Sequence, residues 1–252
     1  MSEWKNALNK FLQNYVDEDC FEGALLCGSY ASGNQDEQSD IDVQIVTANT
    51  EKRRERGNCY IDGFLIEYFI NPVRQIERYL EDDYKNGSIC NACMFGYGQI
   101  LYDKNGEMKR LKELSADYLS KSFPEMGEDK RKMDFYHIWD DIDEMKSLLK
   151  KGLNIDIVYV QALLALVKLY CAYHRFPQIV PSKLERILSD QKYAKNYHWE
   201  TAFPAEFSQT VVDCIRSKTE DKPANIERLY QLVASSCGGF DIGCFKLNTP
   251  VE

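Results

Sequence analysis

The sequence predicts an α+β fold: an N-terminal domain built on a mixed sheet, residues 1–125, followed by a C-terminal α-helical bundle, residues 126–252. Three observations carry this reading. Short, β-rich apolar runs mix with helical patterns in the first half of the chain. The stretch "SFPEMGEDKRK", residues 122–132, joins a proline, a glycine and a charge cluster, as linkers do. Beyond about residue 130 the strand pattern disappears and the apolar spacing is helical.

Element by element, Trp4, Leu8, Phe11, Leu12 and Tyr15 fall at helical spacing and predict a helix over residues 3–16. "GALLC" is a short buried strand ending at Gly28-Ser29, and "IDVQIV" is a second strand. The charged run "TEKRRERGN" reads as a solvated loop that takes in Arg53, Arg54 and Arg56. In "CYIDGFLIEYFI", Asp62-Gly63 between two β-rich runs signals a hairpin, and Pro72 closes it. A helix follows over 73–83. The glycine-rich "NGSICNACMFGYG" reads as a loop; residues 99–121 then give a short strand, an Asn-Gly turn and a helix. In the second half, helices are expected over 133–152, ending at Gly152, and over 156–176. Three more span 181–190, 205–217 and 224–235.

With 44% hydrophobic and 28% charged residues the composition is that of a globular protein. The net charge of −9 argues against a nucleic-acid partner and favours a cationic small molecule. No run of 18 consecutive apolar residues occurs, and the N-terminus reads as an amphipathic helix rather than a signal peptide. Nine scattered cysteines fit reduced thiols, so a cytoplasmic protein is expected, without a membrane partner. Cys90 and Cys93 form a CxxC that no second pair completes into a zinc site.

The sharpest signal is "ALLCGSYASGNQDEQSDIDVQIV", residues 24–46. Asp40 and Asp42 alternate with Ile41 and Val43, so on a strand both carboxylates project from one face. About 6.6 Å apart, they repel by roughly 2–3 kcal/mol at an effective dielectric near 20. A divalent cation would offset that; so would simple exposure of the face to water. The upstream residues favour the first. Gly28 permits close backbone approach, and the Ser29 hydroxyl and backbone N–H groups can donate to phosphate.

Gly28-Ser29, ten residues, then Asp40-Ile41-Asp42-Val43 resembles the signature of the DNA polymerase β-type nucleotidyltransferase superfamily. The string "GSYASG…SDIDV", which includes Ser39, looks like the branch holding aminoglycoside and lincosamide nucleotidyltransferases. The resemblance implies a third acidic residue on a neighbouring strand, and Glu67 in "GFLIEYFI" matches it, although many relatives carry aspartate there. Asp62 competes for the role, but its place before Gly63 is better explained by the turn. Implied site residues are therefore Asp40, Asp42 and Glu67 for catalysis and one or two Mg2+ ions, Glu67 serving either as a metal ligand or as a general base, with Gly28, Ser29 and Ser39 on the nucleotide.

The activity implied is transfer of a nucleoside monophosphate, AMP from ATP, to a hydroxyl of a small and cationic acceptor such as an antibiotic. The helical half would shape the acceptor pocket. Asp140, Asp143 and Glu144 in "WDDIDEM" share a helix face and suit a polycation or plain solvent; Lys168, Tyr170 and Lys183 are more distant candidates for the triphosphate. Two alternatives stand beside this reading: a protein-modifying nucleotidyltransferase of antitoxin type, and a non-catalytic nucleotide-binding protein.

Overall fold

The computed structural model describes residues 2–199 and 201–248. They form two compact units, one of residues 2–121 with 195–199, the other of 122–194 with 201–248.

The first unit runs α1 (Glu3–Leu12), β1 (Phe21–Cys27), α2 (Gly28–Ser32), β2 (Ile41–Thr47), β3 (Glu55–Ile61) and β4 (Phe64–Pro72). It continues with α3 (Val73–Lys85), α4 (Cys90–Tyr97), β5 (Gln99–Asp103) and α5 (Glu107–Ser120). The five strands make one mixed sheet in the order β3-β4-β2-β1-β5. Only β2 and β4 pair in parallel. The predicted hairpin is there: Asp62 and Gly63 both take positive φ, and Ile61 pairs with Phe64 across them.

Alternation sorts the side chains to two faces. Ala24, Leu26, Ile41, Val43, Ile45 and Ile66 pack with Leu8, Phe11 and Leu12 of α1. On the opposite face Leu25, Cys27 and Val46 pack with Val73 and Ile76 of α3, Phe95 of α4, and Met108 and Leu111 of α5. Along that face of β2 the sequence grades from Val46, fully buried, through Gln44, buried with its amide against the Met94 sulfur at 3.8 Å, to the part-exposed Asp42. Apolar cover thus gives out where the carboxylates begin.

Four boundaries differ from the sequence expectation. The first helix stops at Leu12, and residues 13–16 turn instead. The supposed loop at 86–98 contains α4, a helix that buries Ala92 and Phe95; tertiary packing outweighs its glycine content. The charged run holds the start of β3, whose charges are tolerated because the strand lies at the sheet edge. Arg56 is therefore a strand residue. Finally, α6 begins at Glu128, inside the expected linker.

The second unit contains α6 (Glu128–Lys150), α7 (Asp156–His174), α8 (Leu184–Ser189), α10 (Ala205–Ile215) and α11 (Lys222–Ser236); the short α9 (Gln191–Asn196) runs out of it into the segment 195–199. Gly152 stops α6 as predicted: at φ +67° its N–H bonds the Leu149 carbonyl, while Leu153 N–H bonds that of Leu148. Helix α7 has the length and apolar content of a membrane span. Eight of its residues, among them Tyr159, Leu166 and Tyr170, are buried, which is how the central helix of a bundle reads. Tyr170 stacks on Phe207 at 3.7 Å and is part of this core, not a nucleotide contact. Arg131, almost fully buried, bonds Glu128 and the carbonyls of Cys237 and Gly239. That ties the start of α6 to the end of α11.

Candidate active site

The end of β1, the start of β2 and the middle of β4 meet in one row of the sheet. Cys27 pairs with Asp42, and Asp42 pairs with Glu67 on the other side. Asp40, just before β2, lies on the same face as Asp42. Ligand oxygens of Asp40, Asp42 and Glu67 all lie within 4.8 Å of one another, and all three residues are part-buried. Among the described residues this is the one His/Cys/Asp/Glu group with such spacing. An all-oxygen donor set suits a hard divalent cation, and partial exposure leaves it a way in. Cys90 and Cys93 both lie on α4 and join no such group.

The turn after β1 explains why its first residue is glycine. Gly28 has φ +67°, and a Cβ placed there would sit 1.8 Å from Asp42 Oδ2 and 2.7 Å from its Cγ. Only a residue without a side chain lets the backbone pass so close to that carboxylate. Beneath it, burial and the neighbouring Asp42 push the Cys27 thiol far up, so it stays protonated and donates to the Asp42 carbonyl at 3.7 Å. Ser29 and Gly28 begin α2, whose left-handed C-cap is Gly33.

The loop from α2 to β2 is held by its own polar groups. Ser39 Oγ donates to Asp36 Oδ1 at 3.1 Å and accepts from the Asp36 N–H at 2.9 Å, so its hydroxyl is committed to the turn. Asn34 N–H bonds the Ser29 carbonyl at 3.0 Å, and Asn34 Nδ2 reaches Ser32 Oγ at 3.4 Å. A distant segment joins here. Asn196 Nδ2 donates to Asn34 Oδ1 at 3.0 Å, and the His198 ring stacks on Tyr97 of α4 at 4.0 Å between centroids. Tyr97 thus has an aromatic partner within the protein, while Phe95 beside it is core.

Sequence reasoning passed over one charged neighbour of the group. Arg56 Nη2 donates to Glu67 Oε1 at 2.6 Å, and its guanidinium lies 4.8 Å from the Phe69 ring centroid. Counting back from the Asp62-Gly63 turn was the available signal: it sets Asn58 opposite Glu67 and Arg56 opposite Phe69. Of the acidic residues singled out in the second unit, Asp140, Asp143 and Glu144 are exposed. Asp141, between them, accepts from Gln161 Nε2 at 2.9 Å, and burial raises its pKa.

Comparison with known proteins bears on this geometry. Residues 8–92, which include Gly28, Asp40, Asp42 and Glu67, match the family described as nucleotidyltransferase domain. A curated protein of Methanocaldococcus jannaschii, which bears the name putative protein adenylyltransferase, is 30% identical over 116 residues, 43% of this chain and 78% of the relative. Two solved structures also align, each at 14% identity. A nucleotidyltransferase-like protein from Exiguobacterium sibiricum has a TM-score of 0.44, with 93% of this chain and 77% of that one covered. A spectinomycin adenyltransferase from Enterococcus faecialis, solved with ATP and spectinomycin, has a TM-score of 0.34, with 92% and 98% covered. The identity shared through most of the archaeal relative, and the family match across the strands that bring the three carboxylates together, make this chain a member of the nucleotidyltransferase family and an enzyme of nucleotide transfer.

Proposed function

We propose that the protein transfers AMP from Mg-bound ATP to a hydroxyl group, with the first unit as the nucleotidyltransferase domain and the second as the acceptor-binding one. The observation that carries this is the row Cys27, Asp42, Glu67, with Asp40 completing an oxygen cluster directly beside the Gly28-Ser29 turn. Asp40, Asp42 and Glu67 would hold a magnesium ion, which would neutralise phosphate charge and polarise the α-phosphorus. The Ser29 hydroxyl and the backbone N–H groups of the turn hold the phosphate oxygens. The proton of the attacking hydroxyl passes to a carboxylate oxygen of this group that the metal does not occupy. A bond forms from acceptor oxygen to α-phosphorus, the bond from that phosphorus to the bridging oxygen breaks, and pyrophosphate leaves.

The acceptor is a small hydroxylated and cationic molecule. Support comes from the net charge of −9, the exposed Asp140, Asp143 and Glu144, and a helical unit that lies wholly outside the family match. A protein hydroxyl is the second reading, favoured by the name of the archaeal relative. The setting is cytoplasmic, consistent with unpaired thiols at the buried Cys27, Cys171, Cys214 and Cys237. The test is incubation with Mg2+ and ATP labelled at the α-phosphate, with a panel of aminoglycosides and lincosamides and, separately, with cell protein. Label in a small molecule, lost in Asp42→Asn, supports the first reading; label in protein alone supports the second. Label in neither overturns both.

A further inference from the structure

The contact between Arg56 and Glu67 has no part in the reaction just described. Both residues sit on one hairpin, and the register fixes the guanidinium diagonally across from the carboxylate. The Arg56 side chain is 69% exposed and that of Glu67 only 19%, so the cation lies on the open side of the carboxylate group. Its 2.6 Å hydrogen bond takes up an oxygen of the third carboxylate, and the Phe69 ring holds its far side.

We infer that Arg56 is a tethered counter-cation and positioning residue, which a divalent ion must displace from Glu67. This rests on the metal-binding reading above. Three carboxylates with oxygens within 4.8 Å of one another repel when no ion is present, and one guanidinium on the part-buried member offsets much of that. It also fixes Glu67 in the direction an arriving ion needs. An ion then competes with a resident positive charge a few ångströms away, which weakens its binding. Release costs little, because the guanidinium is exposed and Phe69 keeps it close. The consequence is a site that binds a bare cation poorly and gains by the arrival of a cation with its phosphates.

The experiment titrates the full chain with Mn2+, following free Mn2+ by electron paramagnetic resonance, for wild type, Arg56→Gln, Arg56→Lys and Asp42→Asn. Arg56→Gln binds about tenfold tighter, because the competing charge is gone. Arg56→Lys, which keeps the charge, stays near wild type, and Asp42→Asn loses binding. A second readout separates this from a merely structural pair: Arg56→Gln lowers the melting temperature without the ion but not with saturating Mn2+. Equal or weaker Mn2+ binding by Arg56→Gln, with binding lost in Asp42→Asn, overturns this inference and leaves the metal site standing. No Mn2+ binding by wild type overturns the metal site, and this inference with it.

Discussion

Replacing Gly28 by alanine tests the close approach on which the site is built. Two effects are expected, and they can be separated. The φ of +67° is a left-handed conformation that costs an L-residue about 1–2 kcal/mol, or roughly 2–8 °C of melting temperature in a chain of this size. The second effect is steric. The new methyl group would lie 1.8 Å from Asp42 Oδ2, so that oxygen must retreat by roughly 1.6 Å to reach ordinary van der Waals contact. Turning Asp42 about its χ1 provides the movement, but carries the carboxylate away from Asp40 and Glu67. A misplacement of that size costs about 100-fold in function. Gly33→Ala is the matched control: its φ is +72°, with nothing within 4 Å of the added methyl, so it carries the strain without the clash. Calorimetric titration of Mg2+ and ATP, with thermal melts of both variants, reads the two effects apart. Similar melting temperatures are expected, with ligand binding lost in Gly28→Ala alone. Gly28→Ala binding Mg-ATP like the wild type would refute the reasoning.

Three further outcomes follow from the geometry. Asp42→Asn removes one of three mutually repelling charges, so without metal it melts a few degrees above wild type even as Mg-dependent ATP binding disappears; a lower melting temperature would contradict the repulsion argument. Glu128, hydrogen-bonded to Arg131, has its pKa lowered from 4.5 to about 2. A carboxylate depressed in the fold stabilises above its unfolded pKa, and that contribution disappears as pH falls from about 4.5 to about 2. Denaturant melts should therefore show Glu128→Gln less stable than wild type at pH 6, with the gap closing by pH 2. Burial raises the Cys171 thiol to about 12 and that of Cys214 to about 11, and Cys27 is raised further, so these three should resist an aromatic disulfide reagent at pH 8 until the chain is unfolded.

The parts legible in the sequence are those specified by local chemistry. Asp62-Gly63 announced a hairpin because a two-residue turn needs positive φ at both positions, and that turn fixed the register of Glu67. Alternation put Asp40 and Asp42 on one face, and Glu67 in an apolar strand needed a partner. What escaped depended on contacts distant in sequence. Helix α4 exists because Phe95 and Ala92 find a core, which outweighs the two glycines beside them. Arg56 read as loop because charge normally marks one, whereas an edge strand carries charge on its open side. The ties of Asn196 and His198 to the first unit carry no local signal at all.

Those ties bear on how the protein can be taken apart or inherited. Although the family match ends at residue 92, the first unit is completed by five residues that arrive only after the chain has traversed α6, α7 and α8. A fragment ending at 121 would lack the amide that braces Asn34 and the ring that covers Tyr97. Exchanging the helical region for that of a relative would replace those two side chains as well. Recombination at the apparent linker is therefore not neutral for the loop between α2 and β2, and a helical region acquired that way would have to bring its own equivalent of Asn196.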